Sequence, residues 1–183
     1  MKTFLIIAAV LVVVLTLGIL VTGFLLPRDY RVDREIVIEA PLSEVFPLVN
    51  NPSNRVKWSP FQGPDVRTSF EGPPAGEGAV MYWESPKSGG KIIITKSDGA
   101  GLVEYNTHFD DGYPTSTSRF RFEPADRGES TRVVWEFFGQ VPAHPLRRYF
   151  VLFIDGSVGD KHFRGLENMK EYLEGKVDVM DST

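Results

Sequence analysis

A single long helical segment follows a series of short strand-like segments, and this order strongly limits the folds open to the chain. Residues 145–173 form the only long segment after residue 26 that has a helical pattern. Small or apolar residues recur in it at steps of three, four and seven, as on one face of an amphipathic helix. They are Leu152, Gly156, Gly159, Phe163, Leu166 and Leu173. Gly175 suits the position just past a helix end, so we expect one amphipathic helix that packs on the strands before it.

The part of the chain between residue 27 and this helix alternates between strand-like runs and turns rich in Gly, Asp and Pro. The strand-like runs are residues 31–39, 66–70, 79–85, 91–96, 102–109, 116–123 and 131–139. Two short helical segments, 44–49 and 54–58, follow the first run. Strands separated by such turns favour antiparallel hairpins, and a long helix after them predicts the α+β class.

Two of the runs indicate which face of the sheet is covered. Phe120 and Phe122 alternate with two arginines, and Trp135 and Phe137 share one face of the last run. Successive side chains of a strand point to opposite faces of the sheet. The pattern therefore predicts a sheet with one covered face and one solvated face. In the first run this alternation slips at Arg34.

The N-terminal stretch that begins at Phe4 and ends at Leu26 is 23 residues long and carries no charge. As a helix it would extend about 34 Å, which is enough for a hydrocarbon core of about 30 Å. A cleaved signal peptide is the alternative, but its apolar part is usually about 7–15 residues long and ends in a small-x-small cleavage site. This stretch is longer, and its last five residues form a poor cleavage site. We therefore predict a single-pass membrane anchor.

The charges that flank this stretch do not decide which side of the membrane the rest of the chain occupies. Lys2 precedes the stretch, and Arg28, Arg31 and Arg34 follow it. An excess of basic residues marks the cytoplasmic side, so the pattern leans weakly toward a cytoplasmic domain. The difference is too small to assign the side.

Length and composition fit one globular domain after the anchor. We expect three parts: an anchor at 1–27, a domain at 28–175 and a C-terminal tail at 176–183. Without Lys2 the chain has 19 basic and 24 acidic residues, a formal charge of −5. This balance argues against a nucleic-acid partner, which requires a basic face. The absence of cysteine excludes disulfides, thiolate catalysis and cysteine metal sites.

The titratable residues form no recognisable catalytic or metal-binding motif. His108, His144 and His162 lack metal-ligand spacing, so we predict no metal and no cofactor. His108 belongs to the polar face of its strand and is expected to face solvent, with a place at a cavity mouth as the alternative. Asp155 lies within the long helix, where an exposed position is favoured. If it were buried, it would be a candidate acid, base or ligand for a hydroxyl group.

Glycines in the middle of the long helix admit two interpretations. Each interior glycine costs about 1 kcal/mol relative to alanine, and close packing or a kink explains such positions. Alternatively, a sheet wrapped around a helix with small side chains would enclose a pocket. The candidates for lining that pocket are Trp83, Tyr105, Phe120, Phe122, Trp135, Phe137, Phe153, Asp155, Gly156 and Gly159. Aromatic residues on strands are more often core than ligand contacts, so this interpretation requires a void between them.

Several short motifs occur in an order and spacing that are more specific than any one of them. They are Ile38-Glu39-Ala40-Pro41, Val45-Phe46, Trp58-Ser59-Pro60-Phe61, Gly76-Glu77-Gly78-Ala79 with Trp83, Thr131-Arg132-Val133-Val134-Trp135, Leu152-Phe153-Ile154-Asp155 and the run 159–170. Through them the chain from Tyr30 to Leu173 resembles the START-like superfamily, in particular its polyketide cyclase/dehydrase and lipid-transport group. The resemblance is greatest to the bacterial branch with an N-terminal membrane segment.

This resemblance implies the helix-grip fold, in which a strongly curved antiparallel sheet grips a long C-terminal helix around a cavity. Members of the superfamily bind lipids, sterols, polyketides or other apolar small molecules, and a few are enzymes. The superfamily has no universal catalytic residue, so the resemblance implies none here.

Three hypotheses about function follow. The first is a membrane-anchored module that binds an apolar small molecule or lipid in the cavity. The second is a cyclase- or hydratase-like enzyme, for which Asp155, Glu84 or Glu104 would have to supply a desolvated acid or base. The third is a structural envelope protein with a filled core and no ligand. The sequence leaves protein partners undetermined.

Overall fold

The computed structural model describes residues 1–99 and 101–175, and the predicted tail at 176–183 lies outside them. The helices are α1 (Lys2–Leu25), α2 (Leu42–Asn50), α3 (Pro145–Arg148) and α4 (Val151–Leu173). The strands are β1 (Asp29–Ile38), β2 (Arg67–Glu71), β3 (Val80–Glu84), β4 (Gly89–Ser97), β5 (Leu102–Phe109), β6 (Ser116–Ala125) and β7 (Ser130–Gln140). Short 3₁₀ helices occupy Pro52–Lys57 and Asp126–Gly128.

The seven strands form one antiparallel sheet in the order β1-β7-β6-β5-β4-β3-β2. Consecutive strands from β2 to β7 are neighbours, and β1 pairs with β7 to form one edge of the sheet. The register of β4 against β5 shifts between Ile94 and Lys96, and such a bulge bends a strand. The sheet is curled and α4 packs on its inner face, so the α+β class and the helix-grip fold are confirmed.

The core lies between the inner face of the sheet, α2 and α4. Phe120 and Trp135 lie on this face, and Leu166 and Met169 cover it from α4, all with almost no exposed surface. Burying such a side chain contributes about 1.5–3 kcal/mol. The alternation predicted for β6 and β7 is confirmed, because Phe120, Phe122 and Trp135 are buried on the same face of the sheet.

The C-terminal helix differs from the prediction in two ways. The predicted single segment at 145–173 divides into α3 and α4, since hydrogen bonds between residues three apart replace the α-helical ones around Tyr149. The buried face is also rotated: Leu152 is 58% exposed and Phe163 is 42% exposed. The observed buried residues are Ile154, Gly159, His162, Gly165, Leu166 and Met169. The period of the apolar residues does not identify this face, because the face contains a histidine and a second glycine.

The N-terminal helix α1 is long and apolar enough to cross a membrane, with a mean hydropathy of 3.3. An N-terminal signal sequence would have the same properties. The last two turns of α1 contact α3 and Tyr149, the residue that follows α3. The Tyr149 hydroxyl donates to the Ile19 carbonyl at 2.9 Å, and Arg148 donates to the Phe24 carbonyl at 2.7 Å. Gly23 is buried there, since a side chain would overlap the carbonyl of Pro145. These contacts join the end of α1 to the segment that leads into α4.

Candidate functional site

A cavity of about 300 Å³ lies between the inner face of the sheet, α4 and the segment after the first 3₁₀ helix. This volume is at the lower end of the range of small-molecule sites. The buried side chains of its inner wall are Arg55, Met81, Ile92, Tyr105, Thr107, Ser118, Trp135 and His162. The more exposed residues around it are Phe61, Gln62, Val66, Trp83, Ser85, Ser88, Phe109, Phe137, Val158 and Lys161. The cavity therefore has a buried inner wall and a rim that reaches the surface.

Arg55 enters the inner wall from the 3₁₀ helix Pro52–Lys57. The side chain of Asn51 caps the start of this helix by accepting from the Ser53 N–H at 2.9 Å. Its end is held by Trp58, whose buried indole N–H donates to the Leu48 carbonyl at 2.7 Å. Arg55 is thereby held with only 6% of its surface exposed.

The guanidinium of Arg55 has few polar partners. Nη1 donates to the Tyr105 hydroxyl at 3.0 Å, and the guanidinium carbon lies 5.0 Å from the ring centre of Trp58 and 5.2 Å from that of Tyr105. Nε is buried and has no hydrogen-bond partner among the residues that the structure describes. Within residues 1–99 and 101–175, no carboxylate lies within 4 Å of it. The guanidinium is a buried cation held by one hydroxyl and two ring faces.

His162 extends from α4 onto the same wall and is only 2% exposed. Its ring stacks on Trp135, with 3.9 Å between ring centres, and meets Phe137 edge-on at 5.0 Å. Burial, and then the nearby charges of Arg34 and Arg55, lowers the pKa of His162 to about 3, so the ring is neutral at pH 7. Its Nδ1 and the indole Nε1 of Trp135 lack hydrogen-bond partners among the described residues.

Neither Arg55 nor His162 is among the residues that the sequence predicts to line the cavity. For His162 a signal exists, because it lies three residues after Gly159 and four before Leu166, on the same helix face. For Arg55 no local signal exists: it is a polar residue in a short turn, and its partner Tyr105 is fifty residues away.

Of the predicted aromatic residues, Trp83, Tyr105, Trp135 and Phe137 line the cavity. Phe120 and Phe122 do not, because they lie in the core behind it. Phe120 stacks against Trp135 at 4.7 Å, and Phe122 stacks against Phe120 at 6.2 Å. These two rings support the wall without lining it.

The four predicted residues on the first half of α4 do not line the cavity. Phe153 is 66% exposed, and Gly156 is exposed with no described residue within 4 Å of the position of a Cβ. Asp155 is exposed and pairs at 3.0 Å with Arg34, which occupies an inward position of β1. Gly159 is buried because the Arg34 guanidinium passes over it and would overlap a Cβ. This part of the helix lies beside the edge strand β1, and its small residues accommodate an arginine side chain.

The other predicted titratable residues also lie elsewhere. Glu84 is exposed, and Glu104 accepts from Arg119 at 2.8 Å on the outer face of the sheet. His108 lies on that same face of β5, where Nδ1 is 3.0 Å from the Thr115 hydroxyl. Within the described residues, no group of three His, Asp or Glu side chains is placed to hold a metal ion.

Comparison with known proteins relates the chain to one family and to several solved structures. The family described as "Polyketide cyclase / dehydrase and lipid transport" matches residues 29–174. Similar structures include a protein from Arthrobacter aurescens (13% identity, 83% of this chain and 90% of that chain, TM-score 0.60). Ara h 8.0201 (14%, 80% and 99%, 0.60) and a protein from Rhizobium leguminosarum (15%, 80% and 95%, 0.58) are also similar. At these identities the likeness concerns the fold alone. No curated protein matches the chain.

Proposed function

We propose, from the premise that this chain belongs to the polyketide cyclase/dehydrase and lipid transport family, that it is a membrane-anchored module that binds an apolar small molecule or lipid. The ligand would occupy the cavity between the sheet and α4. The observation that carries this proposal is the cavity itself, with Trp83, Tyr105, Trp135 and Phe137 on its wall. Burial of ligand carbon there would contribute about 25 cal/mol per Å² before the costs of association.

The chemistry of the cavity favours binding over catalysis. An enzyme would need at least one of the carboxylates Asp155, Glu84 and Glu104 in the cavity, and none of the three lines it. His162 does line it, but a ring whose pKa is lowered to about 3 is a weak base at neutral pH. We therefore propose a carrier or receptor role for this cavity.

The contact between α1 and α3 supports the membrane part of the proposal. Ile19, which accepts from Tyr149, precedes the end of α1 by six residues, or about 9 Å along the helix axis. If α1 spans a bilayer, α3 therefore lies at the depth of the headgroup boundary, where interfacial helices bury their apolar faces by about 5–10 Å. Leu146, Phe150 and Phe153 are exposed on this segment and on the start of α4, so they suit that environment. The domain would then rest against the bilayer in which apolar ligands dissolve.

A cavity-filling variant tests ligand binding. Full-length protein in phosphatidylcholine nanodiscs would be titrated with the neutral dye 1-aminoanthracene, with empty nanodiscs as the blank. Ser118→Phe places a ring in the cavity, and Thr117→Phe adds the same ring to the opposite face of β6. We expect saturable binding that Ser118→Phe weakens at least tenfold and Thr117→Phe leaves unchanged. Absence of saturable binding by the wild type, or equal binding by both variants, would refute the proposal.

The membrane arrangement has its own test, which the cysteine-free sequence simplifies. A spin label at Phe153→Cys and a second at Glu171→Cys, exposed near the other end of α4, would report collisions with oxygen and with a water-soluble nickel complex. We expect the label at 153 to be accessible mainly to oxygen and the label at 171 mainly to nickel. Equal nickel accessibility at both positions would contradict the proposed contact with the bilayer.

A further inference from the structure

We infer that the ligand is an anionic amphiphile, whose carboxylate or phosphate group binds Arg55 at the inner wall while its hydrocarbon part lies along the aromatic residues toward the rim. This inference rests on the proposed function of the cavity and specifies its ligand. It is carried by the placement of charged and polar groups around the cavity.

The guanidinium of Arg55 is a buried cation. Arginine stays protonated in proteins, and a charge removed from water is costly unless it is paired and hydrogen-bonded. Arg55 has five N–H donors, of which one reaches the Tyr105 hydroxyl and one, at Nε, is buried with no acceptor in the described part of the chain. The two ring faces on which it lies offset only part of the lost hydration. An anion in the cavity would supply the missing counter-charge and acceptors.

The charged side chains among the described residues of the cavity lining are cations. The chain has more acidic than basic residues, yet the described residues that line the cavity include two cations, Arg55 and Lys161, and no Asp or Glu. Lys161 is exposed at the rim, with its ammonium 5.6 Å from the ring centre of Phe61. A cavity with this balance favours anions, because field lines concentrate in a low-dielectric cleft. The cation at the rim would draw the ligand in, and the buried one would hold its head group.

The same wall also carries neutral polar groups that have no partner among the described residues. One is the buried indole N–H of Trp135, which can only donate. The other is Nδ1 of His162, on a ring that stacks directly on Trp135. Trp135 and Arg55 both line the cavity, so a head group there would lie against polar groups as well as aromatic rings. Arginine binds carboxylate and phosphate through two parallel hydrogen bonds, which fits both head groups.

The volume limits the enclosed part of the ligand. At about 30 Å³ per water-sized group, a cavity of about 300 Å³ holds roughly ten such groups. Decanoate and decyl phosphate are therefore suitable probes, with 1-decanol as the uncharged analogue of the same chain length. Longer chains would extend past the rim.

The test uses full-length protein in phosphatidylcholine nanodiscs and isothermal titration, with empty nanodiscs subtracted. We expect decanoate or decyl phosphate to bind at least tenfold more tightly than 1-decanol, and the ratio between the two anions identifies the preferred head group. Arg55→Met should remove this preference, so that the variant binds the two anions no more tightly than it binds 1-decanol. Lys57→Met removes a charge from the same 3₁₀ helix outside the lining and should leave the preference intact.

Each other outcome has a definite meaning. If the neutral dye binds but neither anion exceeds 1-decanol, the inference about the head group is wrong and the proposed function stands. If Arg55→Met weakens binding of the dye as much as that of the anions, or leaves the anion preference intact, Arg55 is not the head-group site. If nothing binds the wild type, both proposals are wrong. Thermal unfolding of Arg55→Met adds a check on folding, since removal of an unpaired buried charge should not lower its stability.

Discussion

The buried neutral state of His162 predicts that the domain loses stability in mild acid. Its folded-state pKa is about 3, whereas an unfolded chain has a histidine pKa of about 6.5. Above pH 6.5 both states are neutral at this position, so the histidine contributes no pH dependence. Below pH 6.5 the unfolded state binds a proton that the folded state does not, and stability falls by about 1.4 kcal/mol per pH unit until the pH approaches 3. Between pH 7 and pH 5 the loss from this one residue is about 2 kcal/mol.

The comparison of wild type with His162→Gln isolates this contribution, since the carboxylates of the chain titrate in both proteins. Urea unfolding would be followed by tryptophan fluorescence on the full-length protein in detergent micelles. All three tryptophans lie outside α1, so the signal reports the domain. We expect the difference in unfolding free energy between wild type and variant to shift by about 2 kcal/mol in favour of the variant when the pH is lowered from 7 to 5. His144→Gln, at an exposed position, is the matched control and should show no such shift.

A difference between wild type and His162→Gln that stays constant within about 0.5 kcal/mol over this pH range would refute the reasoning. It would mean that the ring accepts a proton in the folded state, with rearrangement of its contacts to Trp135. The same shift in His144→Gln would mean that the effect does not arise from burial.

Four further substitutions test the packing of α4 and the outer face of the sheet, each by urea unfolding at pH 7. Gly159→Ala should destabilise the domain by about 1–3 kcal/mol, because the new methyl group displaces the Arg34 guanidinium. Gly156→Ala adds the same methyl group in open space on the same helix, so it should stabilise the domain by up to about 1 kcal/mol. Equal effects would contradict the different surroundings of the two glycines. Asp155→Asn should change stability by less than about 1 kcal/mol, since its ion pair with Arg34 is exposed; a larger loss would show that this pair is effectively buried. Glu136→Gln should cost about 2 kcal/mol because this buried carboxylate faces three arginines of the outer face, and a neutral effect would mean that those arginines are held by other contacts.

Most of the fold was predictable because its signals are local. Alternation of Phe120 and Phe122 with arginines identifies the covered face of β6, and turn residues separate the strands. The family motifs then imply how these elements are arranged. The face of α4 was less predictable, since the buried stripe includes His162, which is polar by residue type, and excludes Leu152, which is apolar.

The candidate site was predictable only in its aromatic part. Trp83, Tyr105, Trp135 and Phe137 were identifiable because alternation on a strand assigns a residue to a face, and they lie on the face that encloses the cavity. Asp155 and Gly156 were candidates through their place within a helix. They lie elsewhere because the part of α4 that carries them runs beside the edge strand β1.

The sequence by itself determined the α+β class and the apolar N-terminal helix, because hydrophobic period, turn residues and length act over a few neighbouring positions. The helix-grip arrangement was implied by the resemblance of its motifs to a known superfamily. Only the tertiary structure decided that Arg55 is buried beside Tyr105, with no carboxylate of the described residues next to it, and that His162 stacks on Trp135 in its neutral form. The physical reason is that burial and charge pairing depend on groups far apart in the chain, and no periodicity encodes which of them meet. The chemical character of the cavity, apolar along one side and cationic at its inner wall, therefore emerges from the folded arrangement.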